Sequence, residues 1–258
     1  MRYGENYLID SNIKDKIIAE VNLSRKDTIL EIGPGLGALT VDLASTGAKV
    51  FAVEKDEKAF NILRKLTEDI PNLKLIHGDI LKFDIHKIYS TEKINVVGNL
   101  PYYITTPIVE YLINNRKYID SAVIMVQKEV ANRLLASAGT KDYSSFSCFV
   151  QYFVKPSYVY TVRRSSFYPE PDVDSSIVKL EMLKVPSVKV KDEGLLFKIM
   201  RGSFNQRRKS IINSLSREEV LNMPKQDMLD ILRSLGIDPY IRPEMLSLSE
   251  FAKIANAI

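Results

Sequence analysis

Short apolar runs alternate with amphipathic stretches through the first two-thirds of the chain. Thr28-Ile29-Leu30-Glu31-Ile32 and Lys49-Val50-Phe51-Ala52-Val53 read as buried strands. Leu73-Lys74-Leu75-Ile76 reads as a weaker one, and Ile94-Asn95-Val96-Val97 and Ala122-Val123-Ile124-Met125-Val126 as two more. Residues 57–66 and 107–114 carry apolar positions at helical spacing between them. Such alternation predicts a parallel sheet with helices on both faces. Two later runs, 146–154 and 176–181, have no long helix between them and predict an antiparallel pair closing the sheet. The intervening Tyr168-Pro169-Glu170-Pro171 predicts an extended loop, because each proline fixes its own backbone and restricts the residue before it.

After Pro186 the pattern turns wholly helical, with candidate helices at 195–204, 207–215, 228–235 and 247–258. Gly236 after Leu235 is a C-cap signal, and Pro239 blocks continuation. The reading is therefore an α/β domain over 1–185, a mostly parallel doubly wound sheet with an antiparallel edge hairpin, followed by a small all-helical domain over 186–258.

Charge follows the same boundary. The net charge is +4, and from Lys184 onward thirteen Lys/Arg stand against nine Asp/Glu, whereas residues 1–183 hold 23 of each. The whole excess lies in the helical third, which suits a polyanionic partner there as well as it suits a solvated helical surface. With 258 residues and 45% hydrophobic content the chain can bury a large core. No apolar run approaches the ~20 residues a membrane span needs, and no secretory leader pattern opens the chain. One cysteine, Cys148, excludes an intrachain disulfide, and with only His77 and His86 it makes a poor metal set. Cys148 itself reads as a small buried residue. These features predict a cytoplasmic, metal-free protein, and nothing demands more than a monomer.

Candidate chemistry clusters at the carboxyl ends of the predicted strands. Gly33-Pro34-Gly35-Leu36-Gly37 follows the first strand and opens a helix; glycine there lets backbone turn sharply and approach a ligand. Glu54, closing the second strand, is placed to accept from ribose hydroxyls. Gly33-x-Gly35-x-x-Ala38 also fits the dinucleotide fingerprint, so this pair does not separate nicotinamide cofactors from other nucleosides. Asp79 follows the third strand, where it suits either an adenine amine or a turn cap. Asn99-Leu100-Pro101-Tyr102 ends the fourth strand, beside the first, at the point where open sheets bind ligands. An amide, a rigid proline and an aromatic ring can hold a flat base with an exocyclic amine: the amide oxygen and a backbone carbonyl accept, and the ring stacks.

The series as a whole (glycine loop, Glu54, Asp79, Asn-Leu-Pro-Tyr) resembles the S-adenosylmethionine-dependent methyltransferases that modify base amines, with their Rossmann-like fold. The resemblance narrows with further segments. Gly4-Glu5-Asn6-Tyr7-Leu8, Gln127-Lys128-Glu129-Val130-Ala131-Asn132-Arg133 and Phe167-Tyr168-Pro169-Glu170-Pro171-Asp172-Val173-Asp174-Ser175 are similar to segments of the ribosomal RNA adenine dimethyltransferases. In the tail, Phe204-Asn205-Gln206-Arg207-Arg208-Lys209 and Arg242-Pro243-Glu244 followed by Leu246-Ser247 resemble the small-subunit branch of that family. That branch dimethylates two adjacent adenines near the 3′ end of small-subunit ribosomal RNA, within an immature subunit. Departures are Glu5 where the family usually has Gln, a nearly absent basic extension before Gly4, and Tyr143-Ser144-Ser145-Phe146-Ser147 in place of the usual Tyr-Gly-x-Leu-Ser.

The resemblance implies S-adenosylmethionine as cofactor, held by Asn6, Leu8, Gly33, Gly35, Gly37, Glu54, Lys55, Asp79, Ile80 and Asn99. It implies a target adenine held by Asn99, Leu100, Pro101 and Tyr102, with Phe167 covering the second face; the lesser alternative for Phe167 is a core aromatic. Arg207, Arg208 and Lys209, read as the start of a helix, would contact RNA phosphates. Other classes stay open at this stage: the large-subunit branch, a DNA adenine methyltransferase, an assembly factor that binds without catalysis, and a nicotinamide-dependent oxidoreductase. The last lacks a Tyr-x-x-x-Lys string and a hydride-site histidine.

Overall fold

A seven-stranded sheet forms the centre of the first of two units. The computed structural model describes residues 6–21, 27–90, 92–206, 208–216 and 221–258. After a short strand, β1 (Tyr7–Leu8), come helix α1 (Ser11–Val21), β2 (Thr28–Ile32), α2 (Thr40–Ser45), β3 (Lys49–Glu54), α3 (Glu57–Leu66) and β4 (Leu73–His77). They are followed by β5 (Ile94–Asn99), α4 (Thr105–Asn114), β6 (Ile119–Gln127) and α5 (Lys128–Leu135). Then come α6 (Ser145–Phe153), β7 (Val154–Val162), β8 (Phe167–Tyr168) and β9 (Ser175–Met182).

The sheet order is β4-β3-β2-β5-β6-β9-β7. β2 pairs in parallel with β3 on one side and β5 on the other, so the order reverses between β2 and β5. β9 runs antiparallel to β6 and turns an otherwise parallel sheet toward its edge. Strands flanked on both faces are buried along nearly their whole length and mostly apolar: β2 is buried from Ile29 to Ile32 and β3 from Val50 to Glu54. Ile13, Ile17 and Val21 lie on one stripe of α1 and join Leu39, Leu43, Val97, Val123 and Ile177 in a single core cluster.

The expected hairpin partner at 146–154 is corrected. Ser145–Phe153 is a helix, fixed by a capping box in which Ser144 and Ser147 bond each other's backbone amides. The edge strand is the next segment, β7, and Pro156 within it is tolerated because β7 has a neighbour on one side only. A continuous apolar run carries no period, and at nine residues either element is possible until the cap decides.

That helix also changes the domain boundary. The first unit runs to Ala131 and resumes over Pro156–Met182; the second comprises Asn132–Lys155 and Leu183–Ile258. A single cut at 185 therefore assigns 132–155 to the wrong unit. The second unit contains α6, α7 (Glu193–Phe204), α8 (Ile211–Leu215), α9 (Lys225–Ser234) and α10 (Leu248–Ala257). Phe149, Tyr152 and Phe153 of α6 all pack on Phe197 of α7, with ring centroids 5.3–5.8 Å apart. The Tyr152 hydroxyl donates to Glu193 at 2.9 Å. Cys148 is fully buried in α6, and burial pushes its thiol pKa up to about 12, so it is an inert core residue. Gly236 takes φ 69° at the end of α9, as its C-cap position requires.

Candidate active site

A cavity opens at the carboxyl ends of β2, β3, β4 and β5, at the point where the strand order reverses. The glycine loop leaves β2 with φ of 65°, 57° and 90° at Gly33, Gly35 and Gly37. A Cβ on Gly35 would lie 3.0 Å from the Tyr7 ring, and the Gly35 amide donates to Glu54 Oε2 at 2.9 Å. The loop is thus clamped between the β1 tyrosine and the carboxylate that ends β3. Gly33 and Gly35 line the cavity. Gly37 does not; a Cβ there would sit 2.6 Å from Leu63 Cδ1, so its role is to let the loop close on α3.

Glu54 is buried and accepts two backbone amides, from Gly35 and, at 2.7 Å, from Asp56. Each carboxylate oxygen retains a second lone pair, so acting as a loop latch and accepting from a ligand hydroxyl are compatible. Asp79 is the turn cap that the sequence offered, and it is also ion-paired. It caps the 3-10 turn Ile80–Lys82 by accepting from the Leu81 amide at 3.0 Å, and its other oxygen pairs with Lys55 Nζ at 2.8 Å. The Lys55 hydrogen bond holds the Asp79 carboxyl below its ordinary pKa, so it stays an acceptor. Lys55, Asp79 and Ile80 all border the cavity.

Opposite them stands the Asn-Leu-Pro-Tyr string. The Asn99 side chain donates through Nδ2 to the Asn6 carbonyl at 3.0 Å. One of the two N–H donors is taken by that acceptor, which orients the amide, and the side-chain oxygen can accept from a ligand. The Leu100 amide donates to Met125 at 3.0 Å, anchoring the string to β6. Pro101 then turns the chain into a short 3-10 helix, Tyr102–Ile104, secured by the Thr105 hydroxyl donating to the Pro101 carbonyl at 3.1 Å. Asn6, Leu8, Leu100, Pro101 and Tyr102 also line the cavity.

Phe167 is placed elsewhere. It is 3% exposed, pairs with Leu8 across β1 and β8, and belongs to the core cluster; it does not line the cavity. Successive residues of a strand face opposite ways, so Phe167 points inward while Tyr168 is 68% exposed. Of the basic tail triplet, Arg207 lies outside the described residues. Arg208 and Lys209 are exposed in the turn before α8, which starts at Ile211 and not at 207. They belong to the second unit.

Among the cavity residues that the sequence reading does not single out are Tyr7, Tyr103 and Glu31. Glu31 lies inside the otherwise apolar run of β2. It is fully buried, and its pKa is pushed up to about 8, chiefly by burial and further by the nearby Glu54 charge. The Thr40 hydroxyl opposes this shift without forming a well-aligned bond; Glu31 Oε2 and Thr40 Oγ1 both lack a partner. A lone carboxyl oxygen in a strand's hydrophobic interior is the kind of signal that could have found it. Among the described residues no group of three or more His, Cys, Asp or Glu is arranged to hold a metal, and no helix is long and apolar enough to cross a membrane.

Residues 1–257 match the family model of the ribosomal RNA adenine dimethylases. A ribosomal RNA small subunit methyltransferase A of a Geobacillus species is 45% identical over 265 aligned positions, covering 99% of this chain and 90% of the relative. One from Lachnoclostridium phytofermentans is 42% identical, covering all of this chain and 90% of the relative. The crystal structure of a dimethyladenosine transferase from Plasmodium falciparum superposes with a TM-score of 0.82 at 32% identity, covering 96% of this chain and 95% of that one. A 23S rRNA methyltransferase shares the fold, with a TM-score of 0.76 at 24% identity over 98% of this chain and 99% of that one. The chain belongs to the ribosomal RNA adenine dimethylase family.

Proposed function

We propose that this protein transfers methyl groups from S-adenosylmethionine to the N6 amines of two adjacent adenosines near the 3′ end of small-subunit ribosomal RNA. The substrate is an immature small subunit, the enzyme acts as a metal-free monomer in the cytoplasm, and the helical unit supplies RNA contacts through Arg208 and Lys209. The observation that carries this reading is the Asn99 amide, oriented by an N–H bond to Asn6, whose oxygen can accept from an amine beside a nucleoside-type cavity.

The cavity fits the cofactor on its own chemistry. An unpartnered buried carboxyl oxygen on Glu31 suits a ligand carrying cationic groups. Asp79 and Ile80 offer an acceptor and an apolar surface for adenine, and Glu54 an acceptor for ribose. Bound S-adenosylmethionine supplies a methyl already activated on a sulfonium, so no strong nucleophile or metal is required of the protein. The remaining difficulty is the adenine amine, whose lone pair is delocalised into the ring. In the first transfer the Asn99 oxygen and the Leu100 carbonyl accept its two hydrogens, favour a pyramidal nitrogen and stabilise the positive charge that grows there. The N–C bond forms as the S–C bond breaks, the thioether product leaves, and the surplus proton on nitrogen passes to water before a second transfer, for which one hydrogen remains. Tyr102 stacks on the base, and in-line positioning supplies much of the rest. The base must leave its helical stack to arrive, which favours a loop or a partly unfolded RNA.

The test is mass spectrometry of small-subunit RNA after immature subunits are incubated with the protein and labelled S-adenosylmethionine, with Asn99→Ala in parallel. Dimethyladenosine at two adjacent 3′-terminal positions, lost in the variant, is the expected result. Methylation that persists in Asn99→Ala refutes the amine site, and labelling confined to large-subunit RNA refutes the substrate.

A further inference from the structure

Two sequence motifs 73 residues apart meet through one hydrogen bond. The hydroxyls of Tyr102 and Ser175 share a bond of 2.8 Å. Ser175 is fully buried and is the first residue of β9, paired with Gln127 at the end of β6. The residue before it is held on two sides: the Asp174 carbonyl accepts from the Lys128 amide, and its carboxylate accepts from the Arg164 amide, both at 3.0 Å. The backbone that carries Ser175 is therefore tied to the sheet.

Tyr102 is fixed at its other end as well. Pro101 sets the entry angle, and the Thr105 hydroxyl bridges the Pro101 and Tyr102 carbonyls at 3.1 and 3.4 Å. A tyrosine has two side-chain torsions, the second of them broad. Holding the backbone limits the first, and holding the hydroxyl limits the second. The ring that borders the cavity is thus a plate pinned at both ends. Burial also raises the Tyr102 phenol pKa, so the hydroxyl keeps its proton and the bond persists at neutral pH.

We infer that Ser175 is a positioning residue for methyl transfer: it sets the plane of the Tyr102 ring on which the target base stacks. The inference rests on the reading of Tyr102 as the stacking group. It follows that Tyr102→Phe, which keeps the ring and loses the anchor, costs rate. Ser175→Ala costs the same rate by the same route.

The experiment is a double-mutant cycle on wild type, Ser175→Ala, Tyr102→Phe and the double variant. Each is read by single-turnover methyl transfer to immature small subunits at saturating cofactor. Each is also read by quenching of 2-aminopurine riboside in the cofactor-saturated protein, which reports base stacking without chemistry. The single variants are expected to lose roughly 5- to 10-fold in rate, the size of one hydrogen bond, and to weaken quenching in proportion. The double variant is expected to be no worse than either single, and cofactor affinity by calorimetry to be unchanged in Ser175→Ala. Multiplying losses, or a Ser175→Ala protein with wild-type rate and quenching, overturn the inference. If wild type quenches but does not methylate small-subunit RNA, the substrate reading fails, and the quenching cycle still decides the role of Ser175. A wild type that does neither overturns both.

Discussion

Replacing Glu31 with Gln removes one ionisable group from the interior of β2 while keeping its shape. Its consequence for stability has a definite sign. In the folded protein the Glu31 carboxyl titrates near 8, against 4.5 for an ordinary glutamate. Between those two values the folded chain holds a proton that the unfolded chain has released. Stability must therefore fall as pH rises through that window, and stop falling once the folded carboxyl has ionised. At about 1.4 kcal/mol per pKa unit the window is worth at most about 5 kcal/mol, and relaxation around a charged interior group brings this toward 2–3 kcal/mol. Glu31→Gln has nothing to titrate and should lack that slope. Urea unfolding of the cofactor-free protein and the variant, at about pH 5 and about pH 8.5, measures it directly. Every other titrating group contributes equally to both proteins, so the difference of differences isolates Glu31. Two proteins that lose the same stability over this range would refute the argument. The same linkage reaches the ligand: a cationic cofactor beside Oε2 favours the ionised carboxyl, so binding near neutral pH should release protons and make the binding enthalpy depend on buffer.

Two further outcomes follow from the coordinates. A Cβ on Gly98 would lie 2.9 Å from the Ile32 carbonyl and 3.2 Å from Ile32 Cβ, across the β2–β5 pairing. Gly98→Ala should cost about 1–3 kcal/mol in thermal unfolding through overpacking and displace Asn99, its neighbour; unaltered stability with full methyl transfer would contradict this. Arg208→Ala and Lys209→Ala should weaken RNA binding about equally for all sequences and each reduce the slope of log affinity against log salt by about 1. An unchanged slope would remove them from the RNA surface.

Most of the strand reading coincides with the structure because buried parallel strands announce themselves as unbroken apolar runs. The predicted 28–32 is β2, and 49–53 is β3 short of its last residue. The same rule misled at 146–154, where an equally apolar run is a helix buried among the aromatic residues of the second unit. Its Ser144/Ser147 cap was the local sign that distinguishes the two, since it satisfies helix-end amides that a strand does not expose. Among the candidate site residues, those at a strand's end were legible as cavity lining: Gly33, Glu54, Asp79 and Asn99 each follow an apolar run by one to three residues. Phe167 was not, because the facing of a two-residue strand depends on its partner, here Leu8, 159 positions away in sequence.

What stayed hidden is the set of contacts that give those residues their orientation. Glu54 reads as a ribose acceptor, yet it also latches the glycine loop by taking the Gly35 amide. Asn99 reads as an amine acceptor, and the Asn6 carbonyl, by taking one of its N–H groups, fixes which way the amide is turned. Tyr102 reads as a stacking ring, yet its hydroxyl is also tied to Ser175. In each case the motif residue supplies the group and a distant segment removes its rotational freedom. This division has a physical reason. Methyl transfer from a sulfonium makes little demand on side-chain reactivity and a large demand on alignment, so the site depends on pinned acceptors and a pinned plate more than on perturbed nucleophiles. Local sequence can specify which group stands at a strand's end. Only the folded chain, with β1 laid beside β8 in a small sheet of their own and β9 beside β6 in the large one, brings the partners that hold it still.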